Sequence, residues 1–296
     1  MISYGQAILI GLLQGVTELF PISSLGHSVL VPAWFGWHHI VDAQSQGESF
    51  YLAFLVGLHV ATAIALLVFF RKDWVRIISA FFRTLRTRKV ESPDERLAWL
   101  LVVATIPAGL LGLAFEHSFR TVFAKPEAAA AFLFLNGLLL LAGERYRRRA
   151  EVRQLAVEHP STTSTTEVGR RLDTLDFKEA GVVGVAQVGA LFAGISRSGI
   201  TMVAGLARGL DHEDAARFSF LLATPIIFAA GVYKLPDLFG HLGDGVRGQT
   251  LVASLFAGVA AYISVKFLVR FFETRTLTPF AIYCLVAGAI SVVRFL

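Results

Sequence analysis

One cysteine in 296 residues, Cys284, excludes an internal disulfide and any cysteine-held metal cluster. Set on an apolar stretch, "AIYCLVAG", it reads as a small packing residue of a membrane helix. Charge is also scarce: Asp, Glu, Lys and Arg make up 17% of the chain against 55% hydrophobic residues, and the mean hydropathy is +0.62. That balance lies beyond an ordinary soluble domain and indicates an integral membrane protein. Residues 1–11 lack the basic region of a cleavable signal, so the first segment is expected to be retained and to enter the membrane. The formal charge of +5 does not imply a nucleic-acid partner, because the basic clusters flank apolar runs and carry no interleaved aromatic platform.

Apolar runs at 51–70, 97–115, 128–143, 218–234, 250–269 and 279–295 are long enough, or nearly so, to cross a bilayer. Two further apolar regions, 1–33 and 179–207, are interrupted by Pro, Gly, Ser and ionisable residues, the pattern of broken helices. The expected fold is therefore an all-α integral membrane protein with six transmembrane helices and two re-entrant broken-helix segments. Segments 71–96 and 144–178 hold eight Lys or Arg each and are expected in the cytoplasm. The polar, low-complexity part of the second, 150–177, is expected to be a flexible loop joining two halves.

The halves resemble each other. At a constant offset of 173, "GLLQGVTELFPISSLGHS" (11–28) aligns without a gap on "GVAQVGALFAGISRSGIT" (184–201), matching Gln14 with Gln187, Ser23 with Ser196 and Gly26 with Gly199. Each broken segment precedes three spans, so the second copy enters from the opposite face and the repeats are inverted. The expected division is a first repeat over 1–143, a linker over 144–178 and a second repeat over 179–296.

The chemistry gathers in the two broken segments. Arg197 lies at membrane depth, where a lone cation is costly and a guanidinium suits phosphate or carboxylate oxygens. Ser196, Ser198 and Thr201 add hydroxyls, and Gly194 and Gly199 allow close approach of the backbone, which together describe a phosphate cradle. In the first segment Gln14 and Glu18 share a helical face, and Ser23, Ser24 and His27 follow the break at Pro21. A carboxylate, hydroxyls and an imidazole supply a base, a nucleophile or a metal ligand. The blander alternatives are an Arg197–Glu18 pair that only locks two half-helices, and serines that only pack between helices. His59, inside a predicted span, lines the same cavity or packs within its helix. His38, His39 and His117 fall in outer loops, and Asp211 with Asp214 reads as a helix cap.

These blocks, with "FFRKDW", "LLVVATIPAGLLG", "AARFSFLLATPI" and "TPFAIYCLVAG", resemble the bacterial undecaprenyl-diphosphate phosphatase family associated with bacitracin resistance, over nearly the whole chain. The resemblance implies a hydrolase of the inner membrane, with a site facing the periplasmic side, that converts undecaprenyl diphosphate to the monophosphate carrier lipid for cell-wall synthesis. It places catalysis on Glu18, Ser24, His27 and Arg197, with Gln14, Ser23, Ser196, Ser198, Gly199 and Thr201 binding substrate. It also implies a divalent cation, Mg²⁺ or Ca²⁺, with Glu18 as its candidate ligand. The expected partners are the lipid substrate and the bilayer, with a homodimer as a further expectation. Gln14 replaces a carboxylate found in many relatives and so removes one hard oxygen anion from such a metal site. Ala193 stands where the family has Pro, and Leu25 where it has a small polar residue. A flippase of an anionic prenyl-phosphate lipid is the alternative, since inverted repeats with re-entrant helices also build transporters. The choice of nucleophile among Ser24, His27 and water stays open at this level.

Overall fold

The computed structural model describes residues 2–44, 49–123, 125–157 and 170–296. Among the described residues six helices are long and apolar enough to cross a membrane: α4 (Phe50–Phe69), the Pro93–Ala114 part of α6 (Pro93–Phe123), the Pro126–Ala150 part of α7 (Pro126–Val157), α10 (His212–Phe239), α11 (Arg247–Phe272) and α12 (Thr278–Phe295). Each covers one of the apolar runs, and several extend past it. α10 begins at His212, well before its apolar run, because the Asp211 side chain caps it by accepting from the Asp214 N–H at 2.7 Å.

Both broken segments are pairs of half-helices. The first is α1 (Tyr4–Thr17) and α2 (Ser24–Trp34); the second is α8 (Phe177–Ala186), a 3₁₀ turn over Gln187–Leu191, and α9 (Arg197–Ala207). α2 and α9 each have 11 residues and begin and end at the offset of 173. Their N-caps correspond as well: Ser23 accepts from the Gly26 N–H, and Ser196 from the Gly199 N–H. α8 starts at an Asp176 capping box. Arg170 forks onto its Glu179 at 2.7 and 3.1 Å and holds that carboxyl below the usual carboxylate range.

The packing is reciprocal in the way two-fold-related repeats require. α4 packs on its counterpart α10 and α7 on its counterpart α12, while α1 packs on α11 and α8 on α6. Gly11 of α1 and Gly184 of α8 are equivalent by the same offset. A Cβ on Gly11 would collide with the Ala253 carbonyl of α11, and one on Gly184 with the Ala104 carbonyl of α6. Small residues at these two points let the half-helices sit directly on a neighbouring span.

Most of the basic stretch after α4 is a helix, α5 (Arg71–Thr87), because its apolar residues recur at helical spacing beneath the charges. The stretch 144–157, expected as the start of a linker, continues α7 as helix. Residues 158–169 of the expected flexible loop lie outside the described residues. α3 (His38–Gln44) is a short helix following α2 and includes His38 and His39.

Candidate active site

The two breaks meet inside the bundle. A Cβ on Gly26 would stand 2.8 Å from the Gly194 Cα, so these glycines mark the contact point of the loops. Gly194 has φ +114°, open to glycine but strained for other residues, and Ser23 itself has φ +71°. A strained non-glycine residue at such a junction is held by its surroundings: the Ser23 Oγ accepts from Gly26 N and from Gly194 N, both at 3.2 Å. In the other direction, Ser198 Oγ donates to the Phe20 carbonyl at 3.2 Å. Asn136 of α7 completes the joint, donating to the Pro21 carbonyl at 3.0 Å and accepting from Ser196 N at 2.9 Å.

At this junction Glu18 is the C-cap of α1 and is 7% exposed. Its Oε1 accepts from Arg197 Nη2 at 2.9 Å. Its Oε2 accepts from Gln14 Nε2 at 3.0 Å and from Ser24 Oγ at 2.5 Å, a short charge-assisted bond. His59 of α4 brings Nε2 to 3.5 Å from the same oxygen, while its Nδ1–H donates to the Leu55 carbonyl. Ser24 and Arg197 are the first residues of α2 and α9 and equivalent in the repeat, so each half contributes one group to a single carboxylate. A hydroxyl bonded to a carboxylate whose other oxygen is held by a guanidinium can supply a nucleophile with its base, or an ion pair that locks the half-helices together.

The structure thus brings together Gln14, Glu18, Ser24 and Arg197 from the expected set, and adds His59. His27 is one turn beyond Ser24 on α2. The His27 Nδ1–H donates to the Ser23 carbonyl at 2.7 Å, and its Nε2 meets the Tyr283 hydroxyl at 2.7 Å, with the two rings stacked. Ser23, Ser196, Ser198 and Thr201 are buried, and their hydroxyls are engaged within the loops: Ser196 with Ser198 at 3.0 Å, Thr201 with the Arg197 carbonyl at 2.7 Å. Gly199 packs beside Pro21 of the first loop. These residues build the junction that holds Glu18, Ser24 and Arg197 in place.

Asn136, Tyr283 and Ser219 belong to the site's surroundings and were not singled out in the sequence. Ser219 ties α10 to α9, its hydroxyl donating to the Ser198 carbonyl at 3.3 Å. Asn136 had a readable signal, a lone amide in the run "FLFLNGLLLL". Replacing it by alanine leaves the Ser196 N–H and the Pro21 carbonyl without that partner, and is expected to cost about 1–3 kcal/mol. Thermal unfolding in detergent of Asn136→Ala against the unsubstituted chain measures this.

A protein-held divalent cation does not fit these residues. Glu18 is the one carboxylate present, both of its oxygens already accept from donors, and a guanidinium lies against it. Among the described residues no three His, Cys, Asp or Glu side chains are grouped to hold a metal. The expectation of Glu18 as a metal ligand gains nothing from this donor set.

The family profile described as "Bacitracin resistance protein BacA" matches residues 7–290, which include both helix breaks. The chain belongs to that family. Among its relatives, "Undecaprenyl-diphosphatase 2" of Frankia alni is 58% identical, the match covering 99% of this chain and 98% of the relative. "Undecaprenyl-diphosphatase" of Mycolicibacterium paratuberculosis is 59% identical, over 99% and 97% of the two chains. "Undecaprenyl-diphosphatase 1" of Burkholderia pseudomallei is 46% identical over 95% and 93%. The chain is thus a multi-pass member of the BacA family.

Proposed function

We propose that this protein is a membrane-embedded phosphatase that hydrolyses undecaprenyl diphosphate to undecaprenyl phosphate and inorganic phosphate, returning the carrier lipid to cell-wall synthesis. The observation that carries the mechanism is the 2.5 Å bond from Ser24 Oγ to a Glu18 carboxylate whose other oxygen is held by Arg197. Ser24 attacks the terminal phosphorus, giving its proton to Glu18. The bridging P–O bond breaks, its electron pair leaves on undecaprenyl phosphate, and the phosphoryl group stays on Ser24. Glu18 releases that proton to solvent. Water then attacks the phosphorus and gives a proton to Glu18, and the P–Oγ bond breaks with its electron pair on Ser24 Oγ. Glu18 returns the proton to Oγ, and inorganic phosphate departs.

Arg197 links binding to activation. Its guanidinium pairs with Glu18. An entering phosphate competes for the guanidinium, which leaves Glu18 freer to accept the Ser24 proton when attack begins. His59 stays beside Glu18 as a second polar neighbour. The prenyl tail lies in the hydrocarbon between spans, so only the head group reaches the junction.

The basic stretches 71–96 and 144–178 support a cytoplasmic placement for both, and the resemblance to the family supports a bacterial inner-membrane location and a site open to the periplasmic side. The reading is tested by phosphate release from undecaprenyl diphosphate by the purified chain. Release that depends on Ser24 and Glu18 is expected. No release above background from folded protein across divalent cations, together with lipid transfer between leaflets, would favour a flippase instead.

A further inference from the structure

α5 has three faces. Ile77, Ala80 and Thr84 are buried against the bundle, and Thr84 accepts from Trp99 Nε1 of α6 at 2.9 Å. Val75, Ile78, Phe82 and Leu85 form a second face with nothing over it: Val75 is 67% exposed and Phe82 64%. At about 100° per residue these four fall in an arc of roughly 80°. The adjoining arc carries Lys72, Arg76, Arg83 and Arg86. Asp73, the one acid of the helix, is already paired with Arg76 and with Arg217 of α10. Lys72 and Arg86 have no carboxylate partner among the described residues.

The position of α5 says what covers its apolar face. Phe70 is at once the C-cap of the spanning helix α4 and the N-cap of α5, so α5 starts at the level where a membrane crossing ends. An apolar face beside a basic face at that level matches an interfacial helix, whose side chains enter the acyl boundary while its cations meet anionic headgroups. We infer that α5 lies in the plane of the bilayer surface and is a docking surface for anionic phospholipids, with Val75, Ile78, Phe82 and Leu85 immersed and Lys72 and Arg86 contacting headgroup phosphates. This surface is separate from the Glu18 junction and does not depend on the reading of that site.

Cys284 is buried, so a nitroxide can be directed to an introduced cysteine in the full-length protein reconstituted in nanodiscs. Labels at Val75→Cys and Phe82→Cys are expected to collide more with oxygen than with a water-soluble nickel chelate, and a label at Ser79→Cys less so. The Phe82→Cys label is also expected to meet spin-labelled phosphatidylglycerol more often than spin-labelled phosphatidylcholine. That preference should fall about fivefold for each charge removed by Lys72→Gln and Arg86→Gln. Phosphate release monitors the integrity of every variant. Nickel-chelate collisions exceeding oxygen collisions at both Val75→Cys and Phe82→Cys would overturn the proposal, as would equal contact with the two lipids before any charge is removed.

Discussion

Glu18→Gln is expected to lower phosphate release at saturating substrate by about a thousandfold, within the range that a positioned general base contributes. The amide is nearly isosteric, so it keeps the shape of the junction and neighbours able to hydrogen-bond, but it takes no proton from Ser24. Because the side chain receives donors from Gln14, Ser24 and Arg197, alanine at this position would also loosen the junction. Glutamine separates the two effects: its thermal unfolding should change far less than its turnover. The check is kcat for released phosphate alongside the unfolding midpoint of the same preparation. A Glu18→Gln enzyme within tenfold of the unsubstituted rate would remove Glu18 from the chemistry.

Arg197 carries the second large effect. Arg197→Lys keeps the charge but loses the planar fork that can hold Glu18 and a phosphate in turn, and is expected to lower kcat/KM by about a hundredfold to a thousandfold. Arg197→Ala goes further and leaves a buried carboxylate without its cation, which costs about 3–5 kcal/mol of stability as well. The pair of variants distinguishes a lock from a grip. If Arg197 only joined the half-helices, lysine would restore both stability and turnover. If it grips phosphate, lysine restores stability and not turnover.

The spans were legible because hydropathy alone specifies them: each of the six apolar runs lies under a helix. The half-helices were legible through the offset of 173, which α2 and α9 obey residue for residue, so that Ser24 and Arg197 occupy equivalent positions. α5 was hidden because its charges dominate composition while its apolar residues show only as a helical period. The serines were ambiguous for a chemical reason: the same hydroxyl that binds phosphate also caps a helix, and Ser23 and Ser196 cap theirs. His27 was placed among the reacting groups by its residue type and by the resemblance to the family. Its partner Tyr283 is on α12 at the far end of the chain, a contact no local pattern announces.

The central claim is that Ser24, polarised by Glu18, is the group phosphorylated during turnover. Quenching the reaction within the first turnover and mapping the phosphorylated residue by mass spectrometry, under both acid and alkaline conditions, tests it most directly. The account predicts phosphate on Ser24, formed before inorganic phosphate appears and absent from Ser24→Ala. Phosphate on His27, or a first turnover by Ser24→Ala at the unsubstituted rate, would contradict it.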